Sequence, residues 1–144
     1  MSRWARKVDE NDYKVSEENA EKMVRELFDH YEIEITGEDT ELENVLKDIA
    51  DRLLKAYRRG DIENKATDSG FTIVQHLKNG DKLTYRELKG KDRISMENFD
   101  NTRAYSRAYA ILGKLCGYGS DVIMNLAGRD WKTAEALALL FMMA

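Results

Sequence analysis

The feature that most constrains this chain is a sustained apolar stripe between residues 40 and 59. Leu42, Val45, Leu46, Ile49, Ala50, Leu53, Leu54 and Tyr57 recur at spacings of three and four, which places them on one face of an α-helix. Thr40 followed by Glu43 has the pattern of a capping box, in which each side chain satisfies a backbone donor at the helix start. Lys55, Arg58 and Arg59 complement the negative end of the helix dipole, and Gly60 suits the left-handed closing residue. A helix 40–59 with so strong a face must bury it, so the rest of the chain has to supply a second layer.

After Gly60 the period changes. Phe71-Thr72-Ile73-Val74-Gln75-His76-Leu77 is rich in β-formers, Asn79-Gly80 is a strong hairpin signal, and Leu83-Thr84-Tyr85-Arg86-Glu87-Leu88 returns as the second strand. The hairpin 71–88 is marginal alone and must lie on helices; Ile62 to Ala66 is a candidate third strand. From residue 91 to 144 the helical period resumes. Ile94 and Phe99 anchor a short helix that breaks near Asp100-Asn101. Ala104, Tyr105, Ala108, Tyr109, Leu112 and Leu115 form a stripe ending at Cys116-Gly117. Ser120 is expected to cap a turn carrying Val122, Ile123 and Leu126, and Asp130 to cap a last helix. That helix turns Trp131, Ala134, Leu137, Ala138 and Phe141 inward.

Upstream, residues 1–15 are polar and aperiodic. Ser16 caps a helix 16–31 with Ala20, Met23, Val24, Leu27, Phe28 and Tyr31 on one stripe, and Ile33 and Ile35 form a short extended piece before Gly37. The expected organisation is therefore a polar segment and helical extension over 1–36, then one α+β domain over 37–144. The fold class is α+β and predominantly helical, its helices packed with a small antiparallel hairpin of two or three strands.

Composition narrows the function. With 144 residues, 42% hydrophobic and 35% charged, the chain has enough apolar material for a core, unlike a disordered segment. Its formal net charge of −4 argues against phosphate-backbone binding, which needs clustered Lys and Arg. Cys116 is the one cysteine, so no intramolecular disulfide forms and a Cys-based zinc site lacks partners. No apolar run follows the basic Met1-Ser2-Arg3-Trp4-Ala5-Arg6-Lys7, so no signal peptide is expected, and Ala136 to Ala144 is too short to span a bilayer. A reducing, cytoplasmic setting is the expectation.

Candidate chemistry is sparse. Cys116 ends an apolar stripe and reads as a buried thiol. His76 reads as a half-exposed strand residue, far from His30. Gly113-Lys114-Leu115-Cys116-Gly117-Tyr118-Gly119 imitates a phosphate loop, yet its spacing fits neither nucleotide-binding pattern and it follows a helix; a helix end and tight loop is the plainer reading. The acidic pairs Glu17-Glu18, Glu38-Asp39 and Asp48 with Asp51 read as helix N-termini and solvated faces. A helix-turn-helix after residue 90 would need base-reading side chains, and the last helix offers only Lys132, Thr133 and Glu135. No catalytic, cofactor-binding or metal-binding residue is expected, and the chain does not read as an enzyme.

The carboxyl end stands out instead. Leu137, Leu139, Leu140, Phe141, Met142 and Met143 nearly encircle the last helix. Such a helix is either central to the core or covered by a partner.

In its order of elements, residues 53–144 resemble the tail assembly chaperones of tailed bacteriophages. The run Leu53-Leu54-Lys55-Ala56-Tyr57-Arg58-Arg59-Gly60-Asp61-Ile62 is similar to their helix ending in a basic-Gly-aliphatic turn. Phe71 to Gly80 and then Leu83 to Leu88 resemble their strand, Asn-Gly turn and strand; Lys91-Asp92-Arg93 resembles the next helix start. Leu112 to Gly117, Val122 to Leu126 and Arg129-Asp130 follow in family order. The chain lacks the proline often found in the family's first strand, and helix 16–31 has no counterpart there. The resemblance implies a phage or prophage chaperone in the bacterial cytoplasm that holds the helical tape-measure protein soluble until the tail tube assembles. The tape-measure protein is the expected partner and the tail tube protein a second one, with no nucleic acid, membrane or cofactor; oligomeric state stays open. From the apolar excess and the resemblance together, the expected protein-protein contact residues are Leu137, Leu140, Phe141, Met142 and Met143, with Tyr105 and Tyr109 as rim or groove contacts. The rival readings are a structural tail or connector component of the virion, a nucleic-acid-binding regulator and, third, an enzyme.

Overall fold

The computed structural model describes residues 13–38, 40–68, 70–94 and 104–144. Among the described residues, six helices and three strands run in the order α1 (Glu17–His30), α2 (Glu41–Arg59), β1 (Ile62–Thr67), β2 (Gly70–His76), β3 (Lys82–Tyr85), α3 (Gly90–Ile94), α4 (Ala104–Cys116), α5 (Ser120–Met124) and α6 (Gly128–Met143). The fold is α+β and mostly helical, as expected. Phe99 and the expected break at Asp100-Asn101 lie outside the described residues, as does Asp39.

The helix signals work largely as physical chemistry dictates. The Ser16 side chain accepts the Asn19 N–H at 3.2 Å, and Gly60 closes α2 at φ +77°. Only half of the capping box at the start of α2 forms. Thr40 Oγ1 accepts the Glu43 N–H at 3.2 Å, but the buried Glu43 carboxylate turns away from its own helix start to the Thr36 hydroxyl, at 2.8 Å, and to the Gly37 N–H. Glu43 thereby fastens the α1–α2 connection instead of its own helix start. Two later caps are corrected. Helix α5 starts at Ser120 itself with Gly119 as its cap, and α6 starts at Gly128, ahead of Asp130. Asp130 sits inside the first turn, where its carboxylate accepts the Lys78 N–H at 3.2 and 3.3 Å.

The sheet is antiparallel with strand order β1-β2-β3, so the candidate strand at Ile62 is real and β2 is central. The Asn79-Gly80 signal makes a hairpin of longer loop than a two-residue turn. Gly80 N–H donates to Leu77 O at 3.0 Å, Leu77 N–H donates to Asp81 O at 2.8 Å, and Gly80 has φ +91°. That is a turn followed by a left-handed glycine, the usual three-residue hairpin. Register brings Ile73 opposite Tyr85, Gln75 opposite Leu83 and Ile62 opposite Gln75, which puts all five on one face.

That face lies against the helices in one core. Leu27 and Phe28 of α1, Leu53 and Tyr57 of α2, Ile73 and Tyr85 of the sheet, Leu112 of α4 and Leu137 of α6 all belong to it. Helix α1 is thus part of the same core as residues 37–144. It runs antiparallel to α2, since the N–H groups of Lys14 and Val15 both donate to Arg58 O. Helix α6 also runs antiparallel to α2. Arg129 approaches the end of α2 through Asp61, and Arg52 reaches Lys132 O and Glu135, one to two turns further along α6.

Candidate functional site

The residues expected to receive a partner divide into three groups. Leu137 and Leu140 are 0% exposed and Phe141 is 1% exposed. The expectation that they present a docking surface is corrected: they are core. Neighbouring elements explain the burial. Helices α2 and α4 both pack along α6, and Tyr31, just past the end of α1, sets its ring edge-on to Phe141, with centroids 5.9 Å apart. The helix with no counterpart in the resemblance is therefore one of the elements that spends the apolar excess. Met142 and Met143 are half-buried and packed on the edge of that core.

Tyr105 and Tyr109 do come together. Their rings are stacked with centroids 6.3 Å apart, Trp131 lies 6.3 Å from Tyr105, and the Trp131 indole N–H donates to the Tyr109 hydroxyl at 3.3 Å. Tyr105 is 63% exposed. The three rings form an aromatic shelf between α4 and the start of α6. Met143 is twelve residues beyond Trp131, roughly 18 Å along the helix axis. The methionines and the tyrosines do not share a surface.

An open apolar groove exists where the sequence reading placed none. Between α1, the segment after it and α2 lies a cavity of about 510 Å³ whose apolar lining is Val24, Ile35, Ala50 and Leu54. Glu21 and Asp51 supply negative charge at its rim, and Arg25 and Lys47 positive. Ile35 is 40% exposed. A signal for the groove was present in α2. From Val45 to Leu54 its apolar positions sweep about 180° at 3.6 residues per turn, wider than the single stripe needed to meet one core. Ala50 and Leu54, at one end of that arc, are the surplus that lines the groove.

The other sequence candidates resolve into structural roles. Gly113 O accepts the N–H groups of Gly117 and Gly119 at 3.0 and 3.1 Å, so the glycine-rich run folds back to close α4. The Cys116 thiol is half-buried and donates to Gly113 O at 3.5 Å. His30 bonds Glu87 and stacks on Phe71 at 4.6 Å, tying α1 to the segment after β3; His76 meets Glu63 across the sheet at 3.3 Å. Among the described residues, no helix is long and apolar enough to cross a membrane, and no three His, Cys, Asp or Glu side chains are grouped to hold a metal ion. No protein-family model matches the chain, and comparison with curated proteins and with solved structures gives no match either.

Proposed function

We propose that this chain works by non-covalent binding of another protein, as a tail assembly chaperone that keeps the helical tape-measure protein soluble before the tail tube forms. The reading rests on the resemblance in element order over residues 53–144 and on one structural observation. The groove between α1 and α2 offers an apolar strip, Val24, Ile35, Ala50 and Leu54, with charges of both signs beside it. Such a strip receives the greasy face of an amphipathic helix, while the rim charges meet its polar flanks. An unassembled tape-measure helix has such a face and aggregates if nothing covers it. Covering it costs no chemistry and is reversed when tube subunits compete for it.

The test is co-expression with a tape-measure fragment encoded nearby. The chain should raise the soluble yield of the fragment and co-purify with it. Ile35→Asp and Ala50→Glu, which place charge in the groove without touching the buried face of α2, should abolish both effects while leaving the thermal unfolding midpoint close to wild type. A fragment that stays insoluble with the wild-type chain would remove the chaperone reading. Recovery of the chain from mature particles by mass spectrometry would favour a structural virion component in its place.

A further inference from the structure

On the opposite side of α2 from the groove, the molecule gathers positive charge. A cleft of about 450 Å³ between α2 and the start of α6 is lined by Arg52, Lys55, Arg59, Arg129 and Lys132, together with Gly128 and Thr133. Five cations in one cleft is an unexpected concentration for a chain of net charge −4. The antiparallel packing of the two helices produces it. Arg52, Lys55 and Arg59 occupy one edge of α2, Arg129 and Lys132 one edge of α6, and the edges face each other.

The internal ion pairs leave much of this charge unspent. Lys55 has Asp51 at 3.4 Å, and Arg52 is committed to Glu135 at 2.9 Å and Lys132 O at 3.0 Å. Arg59 and Arg129 share a single buried carboxylate, Asp61, at 3.8 and 3.3 Å. Both contacts fall on the same oxygen, Oδ2, so neither guanidinium uses its two-pronged face on Asp61. Burial also pushes the Asp61 carboxyl above its ordinary value, the nearby Arg129 and Arg59 notwithstanding. Lys132 is exposed and forms no ion pair among the described residues. Helix α6 begins at Gly128 with no side-chain cap on its first N–H groups, which adds the positive end of a sixteen-residue helix to the same wall. Asp130 in that first turn is turned away, toward the Lys78 N–H.

We propose that this cleft binds a small multivalent oxyanion of the phosphate type, with Arg59, Arg129 and Lys132 as its principal contacts. A long polyanion fits less well, because the outer edge of α2 continues from Lys55 into Asp51 and Asp48 and would repel a backbone running past the cleft.

The test titrates the full chain with sodium pyrophosphate at constant ionic strength, made up with sodium chloride, and follows the backbone amides by NMR. Saturable shifts are expected at Gly128, Arg129, Lys132 and Thr133, with half-saturation at or below ~1 mM. Lys132→Gln should weaken the interaction several-fold and Arg129→Gln with Lys132→Gln should remove saturation, the folded amide spectrum persisting in both. Lys132→Gln leaves Asp61 and its arginines intact, so its effect is independent of any change in folding. Shifts that never saturate, that fall elsewhere, or that survive both variants would overturn the proposal. So would a short single-stranded oligonucleotide that shifts the same amides at lower phosphate concentration than pyrophosphate does.

Discussion

Arg86 grips Asp92 with both nitrogens of its fork, at 2.7 and 2.8 Å, and Asp92 is fully buried. The Lys89 N–H adds a third bond at 2.8 Å, and the Lys114 ammonium lies 3.6 Å away. The arrangement pins the start of α3 to the end of β3 and to α4. Chiefly through the Arg86 hydrogen bonds, it holds the Asp92 carboxyl at about 2, well below the usual carboxylate range. A carboxyl depressed on folding adds stability that is present above its unfolded value, near 3.8, and is lost as pH falls toward the folded value. Acid unfolding should therefore have a limb between about pH 4 and pH 2 that Asp92→Asn flattens. Removing the other partner, Arg86→Ala, strands a buried charge and should cost about 3 kcal/mol in urea unfolding at neutral pH.

A methyl group at Gly113 would collide with backbone. A Cβ there would lie 2.3 Å from the Gly119 carbonyl carbon, 2.5 Å from Ser120 N and 2.6 Å from Gly119 O. Backbone cannot rotate aside as a side chain can, so α4 and the loop into α5 must separate. Gly113→Ala should destabilise by about 2–3 kcal/mol, read as a lower midpoint in thermal or urea unfolding. Gly90→Ala is the control. It meets nothing within 4 Å and has no left-handed backbone, so the loss of unfolded-state freedom should stabilise by up to about 0.5–1 kcal/mol.

Gln75 is the polar hinge of the core. Fully buried on the inner face of β2, it accepts the Tyr85 hydroxyl at 2.7 Å and donates to Asp130 O at 2.9 Å, joining the sheet to the start of α6. Burial pushes the Tyr85 phenol far above its ordinary value, so it stays neutral and a donor. Tyr85→Phe leaves the Gln75 oxygen buried without a donor, which should cost about 1–3 kcal/mol. The change in apolar packing is small, so the cost belongs to the lost hydrogen bond. A variant as stable as wild type would show that water replaces the phenol.

The helices and strands were legible because their signals are local. Ser16, Thr40 and Gly60 act on neighbours within one turn, and the period of residues 42–57 states its own geometry. What escaped was relational. Glu43 sits three residues after Thr40, yet its carboxylate bonds Thr36 and Gly37, a choice decided by where the α1–α2 connection passes. The clustering of Arg52 and Arg59 with Arg129 depends on the antiparallel contact of α2 and α6, about 70 residues apart in the chain. Nothing in the apolar pattern of residues 136–143 says how much of it α2, α4 and Tyr31 cover. Tyr31 belongs to a helix that local reasoning set aside as an extension, and its contact with Phe141 is a tertiary fact.

That contact separates two accounts of the last helix by experiment. Leu140 and Phe141 are sealed in the core, whereas Met142 and Met143 are only half-buried at its edge. Leu140→Ala and Phe141→Ala should each cost about 2–5 kcal/mol, the transfer loss plus the cavity left behind. Met143→Ala should cost well under half as much, since it opens no enclosed space. A helix whose apolar residues chiefly awaited a partner would give the reverse pattern, with Leu140→Ala and Phe141→Ala near wild-type stability and defective only in complex formation. Urea unfolding of the isolated chain distinguishes the two without any partner present. If Phe141→Ala unfolded at the wild-type midpoint, the packing of Tyr31 on Phe141 could not be what seals this end of α6.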